Sequence, residues 1–173
     1  MPTNLYANRG RALENLIDIA NEKYYRAGKA VIVKQHTHWI PIRDRTGRIV
    51  SAKVEHKAVV DYKGTVKDLG PISFDAKETS SDRWYLSKLE PHQLEHLIKA
   101  REVGDICFIL IAFWRYSRFF ILPLENYLHL KSRQKSLRIQ DCPEHAFGTD
   151  VLCYIDTLTK EGVCHRIPAA THI

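Results

Sequence analysis

The chain has 173 residues, 45% hydrophobic and 27% charged, ordinary proportions for a globular protein and enough to build a substantial core in one domain over residues 1–173. Its formal net charge of +6 suits a polyanion, and nucleic acid and anionic membrane surfaces both fit. No secretory signal is visible in the polar first ten residues, and the longest apolar run, Ile106 to Trp114, is too short to span a bilayer. A cytoplasmic protein with no membrane partner is therefore expected. The cysteines Cys107, Cys142, Cys153 and Cys164 form no CxxC pair, in keeping with a reduced compartment. Cys107 reads as a small buried hydrophobe. There is no internal repeat and no low-complexity tract.

Asn8 is placed to cap a helix from about Arg9 or Gly10 to Ala27, with Leu13, Leu16, Ile17 and Ala20 as its apolar stripe and Gly28 at its end. Glu14 lies off the centre of that stripe and reads as an exposed acid near a positive helix end. Ala30 to Lys34 is a strand by its β-branched content, and His36 and His38 follow at strand spacing. With no further ligands nearby, that pair suits a polar rim or a DNA contact better than zinc. Residues 40–57 then carry Arg43, Arg45, Arg48, Lys53 and Lys57 around a turn at Gly47. A protruding hairpin of this kind buries little, so its charge is read as facing phosphates, with a merely solvated hairpin as the alternative.

The stretch Val59 to Thr79 is expected to form two short strands, with turn chemistry at Gly64 and at Gly70-Pro71. Strand alternation places Asp75 and Lys77 on one face and Phe74 and Ala76 on the other. If the strands pair, Asp61 lies beside Asp75. Two close carboxylates raise one another's pKa unless a cation stands between them. Mg²⁺ suits such a place, since it takes oxygen ligands, keeps waters and needs only one or two carboxylates. Lys77 on the same face is then positioned to orient or activate water for attack on a phosphodiester.

Ser80 to Leu89 reads as a loop anchored by Trp84, Tyr85 and Leu86. Pro91 opens a helix from about His92 to Arg101. Its His92-Gln93-Leu94-Glu95-His96 run formally matches the inverted zinc-protease pattern, but that reading leaves the acidic and basic clusters unexplained. Asp105 to Phe113 reads as a strand buried on both faces, Arg115-Tyr116-Ser117 as a turn, and Arg118 to Leu122 as a second strand. A helix follows from Pro123. Beyond it lie a second basic cluster (Lys131, Arg133, Lys135, Arg138), a segment from Val151 to Leu158 with helical or strand character, and a frayed end from His165 to Ile173.

Taken together these stretches resemble the RecU-type Holliday junction resolvases of the PD-(D/E)xK nuclease superfamily. The resemblance runs through Asn8-Arg9-Gly10 with Leu13-Glu14, Asp61-Tyr62-x-Gly64, Phe74-Asp75-Ala76-Lys77-Glu78-Thr79, His92-Gln93-Leu94-Glu95-His96, Gly104-x-Ile106-Cys107-Phe108 and Glu144-His145-Ala146. It implies an α/β, restriction-endonuclease-like mixed sheet flanked by helices, with residues 40–57 as a stalk entering a four-way junction. By the same resemblance Asp61, Asp75 and Gln93 are metal-site residues, Lys77 stabilises the transition state and Glu14 helps order a metal-bound water. It further implies Mg²⁺, with Mn²⁺ as a substitute, and a homodimer making paired nicks. The chain has Val60 where that family often has Thr, and the shorter Asp75 where Glu is common. A nuclease of duplex or flap DNA, or an inactive junction-binding protein, are the alternatives.

Overall fold

A computed structural model describes residues 9–142, 147–148 and 153–160. The first helix, α1 (Arg9–Arg26), buries Leu13, Ile17 and Ala20 and half-buries Leu16, so its stripe is the one the spacing predicts. Gly28 ends it at φ +65°, a left-handed conformation that an L side chain disfavours. The expected cap at Asn8 lies outside the described residues.

Strands β1 (Ala30–Lys34), β4 (Tyr62–Val66), β5 (Gly70–Thr79), β7 (Ile106–Phe113), β8 (Arg118–Pro123) and β10 (Phe147–Gly148) form a six-stranded sheet in the order β1-β4-β5-β7-β8-β10. Among these described strands only β5 and β7 run parallel. A parallel pair needs a crossover, and α2 (Pro91–Glu102) supplies it.

The period of two along β4, β5 and β7 sorts the side chains into two layers. Tyr62, Phe74 and Phe108 share one row and stack, with ring centroids 4.9 and 4.7 Å apart. Over that face lie α1 and α4 (Tyr154–Lys160), fastened together by hydrogen bonds from Tyr154 Oη to Asn21 Oδ1 at 2.6 Å and from Tyr24 Oη to Asp156 Oδ2 at 3.0 Å. The opposite face packs Ile109, Ile111 and Leu122 against Leu97 of α2 and Tyr127 of α3 (Leu124–Lys131). The mixed sheet flanked by helices is thus observed. No helix among the described residues is long and apolar enough to cross a membrane.

Two local expectations are corrected and one left open is narrowed. Gly64 is not a turn residue but sits mid-strand in β4, because β1 crosses so closely that a Cβ there would lie 2.1 Å from the Val31 carbonyl oxygen. The turn falls instead at Lys67 to Leu69, with Asp68 at φ 61° and Gly70 at φ 106°. Ser80 to Leu89 is not all loop: β6 (Arg83–Tyr85) pairs antiparallel with β9 (Ser136–Arg138), inside the second basic cluster. The pairing buries Trp84 completely, which explains why an aromatic stood there. Val151 to Leu158 lies partly outside the described residues, and its described part opens α4. The Glu144-His145-Ala146 and His165 to Ile173 segments lie outside them altogether.

The basic hairpin consists of β2 (His38–Arg43) and β3 (Ile49–His56), which form a two-stranded sheet of their own. Every residue of β2 is exposed. Asp44 organises the tip: its Oδ1 accepts from the Thr46 amide at 2.8 Å and the Arg48 amide at 3.1 Å, while Gly47 turns the chain at φ 83°. The Thr46 hydroxyl and those amides hold the Asp44 carboxyl below its ordinary range. The arms are apolar as well as basic, with Trp39, Ile40, Ile42, Ile49 and Val50 open to solvent.

Candidate active site

Tyr62 pairs with Phe74, so Asp61 enters β4 directly opposite the position where β5 carries Asp75. Asp61 is fixed at both ends. Its carbonyl accepts from the Gln35 amide at 2.8 Å, and its Oδ2 accepts from the Ala76 amide at 2.8 Å, continuing the β4–β5 ladder with a side chain. Asp75 and Lys77 alternate with Phe74 and Ala76, and point to the α2 side of the sheet. Asp75 is fully buried and forms an ion pair with Lys77, whose side chain is 18% exposed. Asp61, Asp75 and Lys77 therefore meet at one place.

Gln93 reaches the same place from the first turn of α2. Its Nε2 donates to Asp75 Oδ1 at 2.9 Å, and its Oε1 accepts from Lys77 Nζ at 3.2 Å and the Glu90 amide at 3.0 Å. The face it turns to Asp75 is thus the amide nitrogen, while the oxygen that a metal would need is already shared. Val60 lies fully buried in the apolar layer under α2 and offers no side-chain oxygen.

Glu14 keeps other company. Its carboxylate pairs with Lys34 Nζ at 2.9 Å, and Asp18 approaches the same ammonium at 3.4 Å. Burial works against the Lys34 charge, but Glu14 and Asp18 outweigh it and leave the ammonium pKa raised. Tyr62 joins this group to the sheet, donating to the Glu14 carbonyl at 3.2 Å and to Asp18 Oδ1 at 2.9 Å. The structure brings Glu14 beside Lys34 and gives it no hydrogen bond or ion pair with Asp61, Asp75 or Lys77.

Burial, followed by the charge of Asp61, pushes the Asp75 carboxyl up to about 7, against the opposing pull of Lys77. Its Oδ2 has the Lys77 ammonium alongside but no directed hydrogen bond. Two acids forced together around an under-coordinated buried oxygen are what a hard cation relieves. Among the described residues no three His, Cys, Asp or Glu side chains gather as a metal site. The donor set fits an ion that needs only one or two carboxylates and keeps its waters.

The histidine motif of α2 disperses. His92 Nδ1 lies 3.4 Å from Glu90 Oε2, and Glu95 pairs with Lys99 at 2.6 Å. His96 has its pKa lowered, first by burial and then by Lys63. On the hairpin, Arg43 Nη1 donates to the Gly47 carbonyl at 2.8 Å, Arg45, Arg48 and Lys53 are exposed, and Lys57 Nζ lies 3.5 Å from Glu90 Oε2. Glu90 was not among the residues expected at the site, although Glu90-Pro91-His92-Gln93 carries the spacing of a capping box.

A mixed α/β sheet that presents an acid, a second acid and a lysine on one face, with a basic hairpin standing apart, defines an α/β protein of the acid–acid–lysine type. The chain belongs to the family described as RecU, Recombination protein U, which matches residues 8–158. It is 31% identical over 152 residues to a Holliday junction resolvase RecU of Streptococcus pneumoniae strain P1031, covering 82% of this chain and 76% of that protein. The counterpart from serotype 19F strain G54 is 30% identical over the same length. Among solved structures it is similar to Hjc, a Holliday junction resolvase of Archaeoglobus fulgidus, at 14% identity and a TM-score of 0.46, covering 75% of this chain and 91% of that one.

Proposed function

We propose that this chain is a divalent-metal-dependent endonuclease that resolves four-way DNA junctions in recombination and repair. The observation that carries the reading is the meeting of Asp61, buried Asp75 and Lys77, with Asp75 raised to about 7. Family membership supplies the substrate class, since the curated relatives bear the name Holliday junction resolvase.

In this account Asp61 and Asp75 would hold the metal, Mg²⁺ or in its place Mn²⁺, and Gln93 orients Asp75. A divalent ion held by Asp61 and Asp75 would supply positive charge to the phosphodiester and make the attacking water more acidic. Lys77 offsets charge that develops on the phosphate, and its half-dry setting makes that contribution larger than in water. Asp61 is kept in place by the Ala76 amide. A role for Glu14 in ordering water rests on the resemblance alone, since its carboxylate is paired with Lys34. Arg43, Arg45, Arg48, Lys53 and Lys57 grip backbone phosphates without reading bases. Two nicks related by a two-fold axis call for two equivalent sites, which a symmetric homodimer provides. The protein acts in the cytoplasm, where such DNA is found.

Cleavage of a mobile four-way junction and of linear duplex at equal salt, each with Mg²⁺ or EDTA, tests this for wild type and Asp75→Ala. Paired nicks in the junction alone, lost with EDTA and with Asp75→Ala, are expected. Equal cleavage of the linear duplex would transfer the protein to a general nuclease role, and metal-independent nicking would remove the mechanism.

A further inference from the structure

Glu90 stands where two parts of the molecule touch. It is the N-cap of α2 in a capping box, its carboxylate accepting from the Gln93 backbone N–H while Gln93 side-chain Oε1 accepts from the Glu90 backbone N–H at 3.0 Å. The same carboxylate receives Lys57 Nζ at 3.5 Å, and Lys57 follows the last residue of β3. At its far end the Gln93 side chain holds Asp75 Oδ1 at 2.9 Å and Lys77 Nζ at 3.2 Å. Both atoms of that amide are committed, so it cannot turn without breaking a hydrogen bond at each end. Ser, Thr, Asp and Asn are the stronger N-caps, and Glu is not among them. What the longer Glu side chain adds here is reach to Lys57.

We infer that Glu90 is a positioning residue joining the foot of the hairpin to the cleavage cluster, through Lys57 on one side and Gln93 on the other. The inference rests on reading Asp61, Asp75 and Lys77 as the cleavage site. DNA held on the hairpin thereby acts on the arm that sets Asp75 and Lys77. Glu90 touches no substrate and works only through Gln93.

The test uses the full chain with Glu90→Ser, which keeps an N-cap acceptor but cannot reach Lys57, with Lys57→Met, and with the double variant. Three quantities are read: the single-turnover nicking rate at saturating junction, junction affinity in EDTA, and the side-chain amide resonances of Gln93 in the DNA-free protein. Glu90→Ser and Lys57→Met should each slow nicking about threefold, the scale of an exposed ion pair, with no further loss when combined. Both should move the Gln93 resonances, and Glu90→Ser should leave affinity and melting temperature unchanged. Wild-type nicking by Glu90→Ser, single effects that multiply, or Gln93 resonances indifferent to Lys57→Met would each overturn the link. If the wild type cuts no junction, the functional reading fails while the resonances still judge the link.

Discussion

At Asp75 the chain holds a carboxyl that burial and Asp61 push up to about 7, where an exposed aspartate sits at 3.8. Between those values the folded, metal-free protein keeps a proton that the unfolded chain has released. The folded state binds more protons, so stability falls as pH rises through that window. Melting in EDTA should therefore decline from about pH 4 to about pH 7, and Asp75→Asn should flatten that decline. Mg²⁺ should restore part of the loss at the upper end, because it favours the ionised carboxylate. Lys77→Ala should cut nicking by about 10²- to 10³-fold, as loss of a charge-stabilising group does, while junction affinity in EDTA stays within about threefold. An equal fall in both would assign Lys77 to binding. Strand alternation alone foretold that Asp75 and Lys77 share a face. It said nothing of the Gln93 amide, whose orientation follows from Glu90 and Lys77 closing on its oxygen.

The elements behind the site were legible where the apolar period was long. Helix α1 and strand β7 appear within a residue or two of their expected limits, since their buried side chains repeat without interruption. Gly64 misled because glycine marks turns and close crossings alike, and only the neighbouring β1 decides between them. Gly64→Ala should lower unfolding free energy by about 1–3 kcal/mol, the range for forcing atoms into a filled place, since the obstructing atoms are the backbone of Val31 and Ile32. A urea midpoint equal to wild type would contradict the close crossing. Strand β6 was hidden for a different reason: its partner β9 lies some fifty residues on in the sequence, and no local pattern announces so distant a pairing.

At the scale of the molecule, the hairpin and the sheet are separate constructions. Arg43, Arg45 and Arg48 cluster at the hairpin tip, so reversing their charges should weaken junction binding and lower the salt slope by about 2–3, near 0.9 for each phosphate left without its cation. An unchanged slope would place the DNA elsewhere. The sequence made this basic hairpin plain, yet it also led attention away from its exposed Trp39, Ile40 and Ile42, which the charges outshouted. The middle of the main sheet has the opposite character. Strand β5 is bonded along both edges, to β4 and then the Asp61 carboxylate on one side and to β7 on the other, above a stack of three rings. Deuterium should enter last at the buried middle of that strand, Ile72 to Phe74, where exchange waits for the whole sheet to come apart.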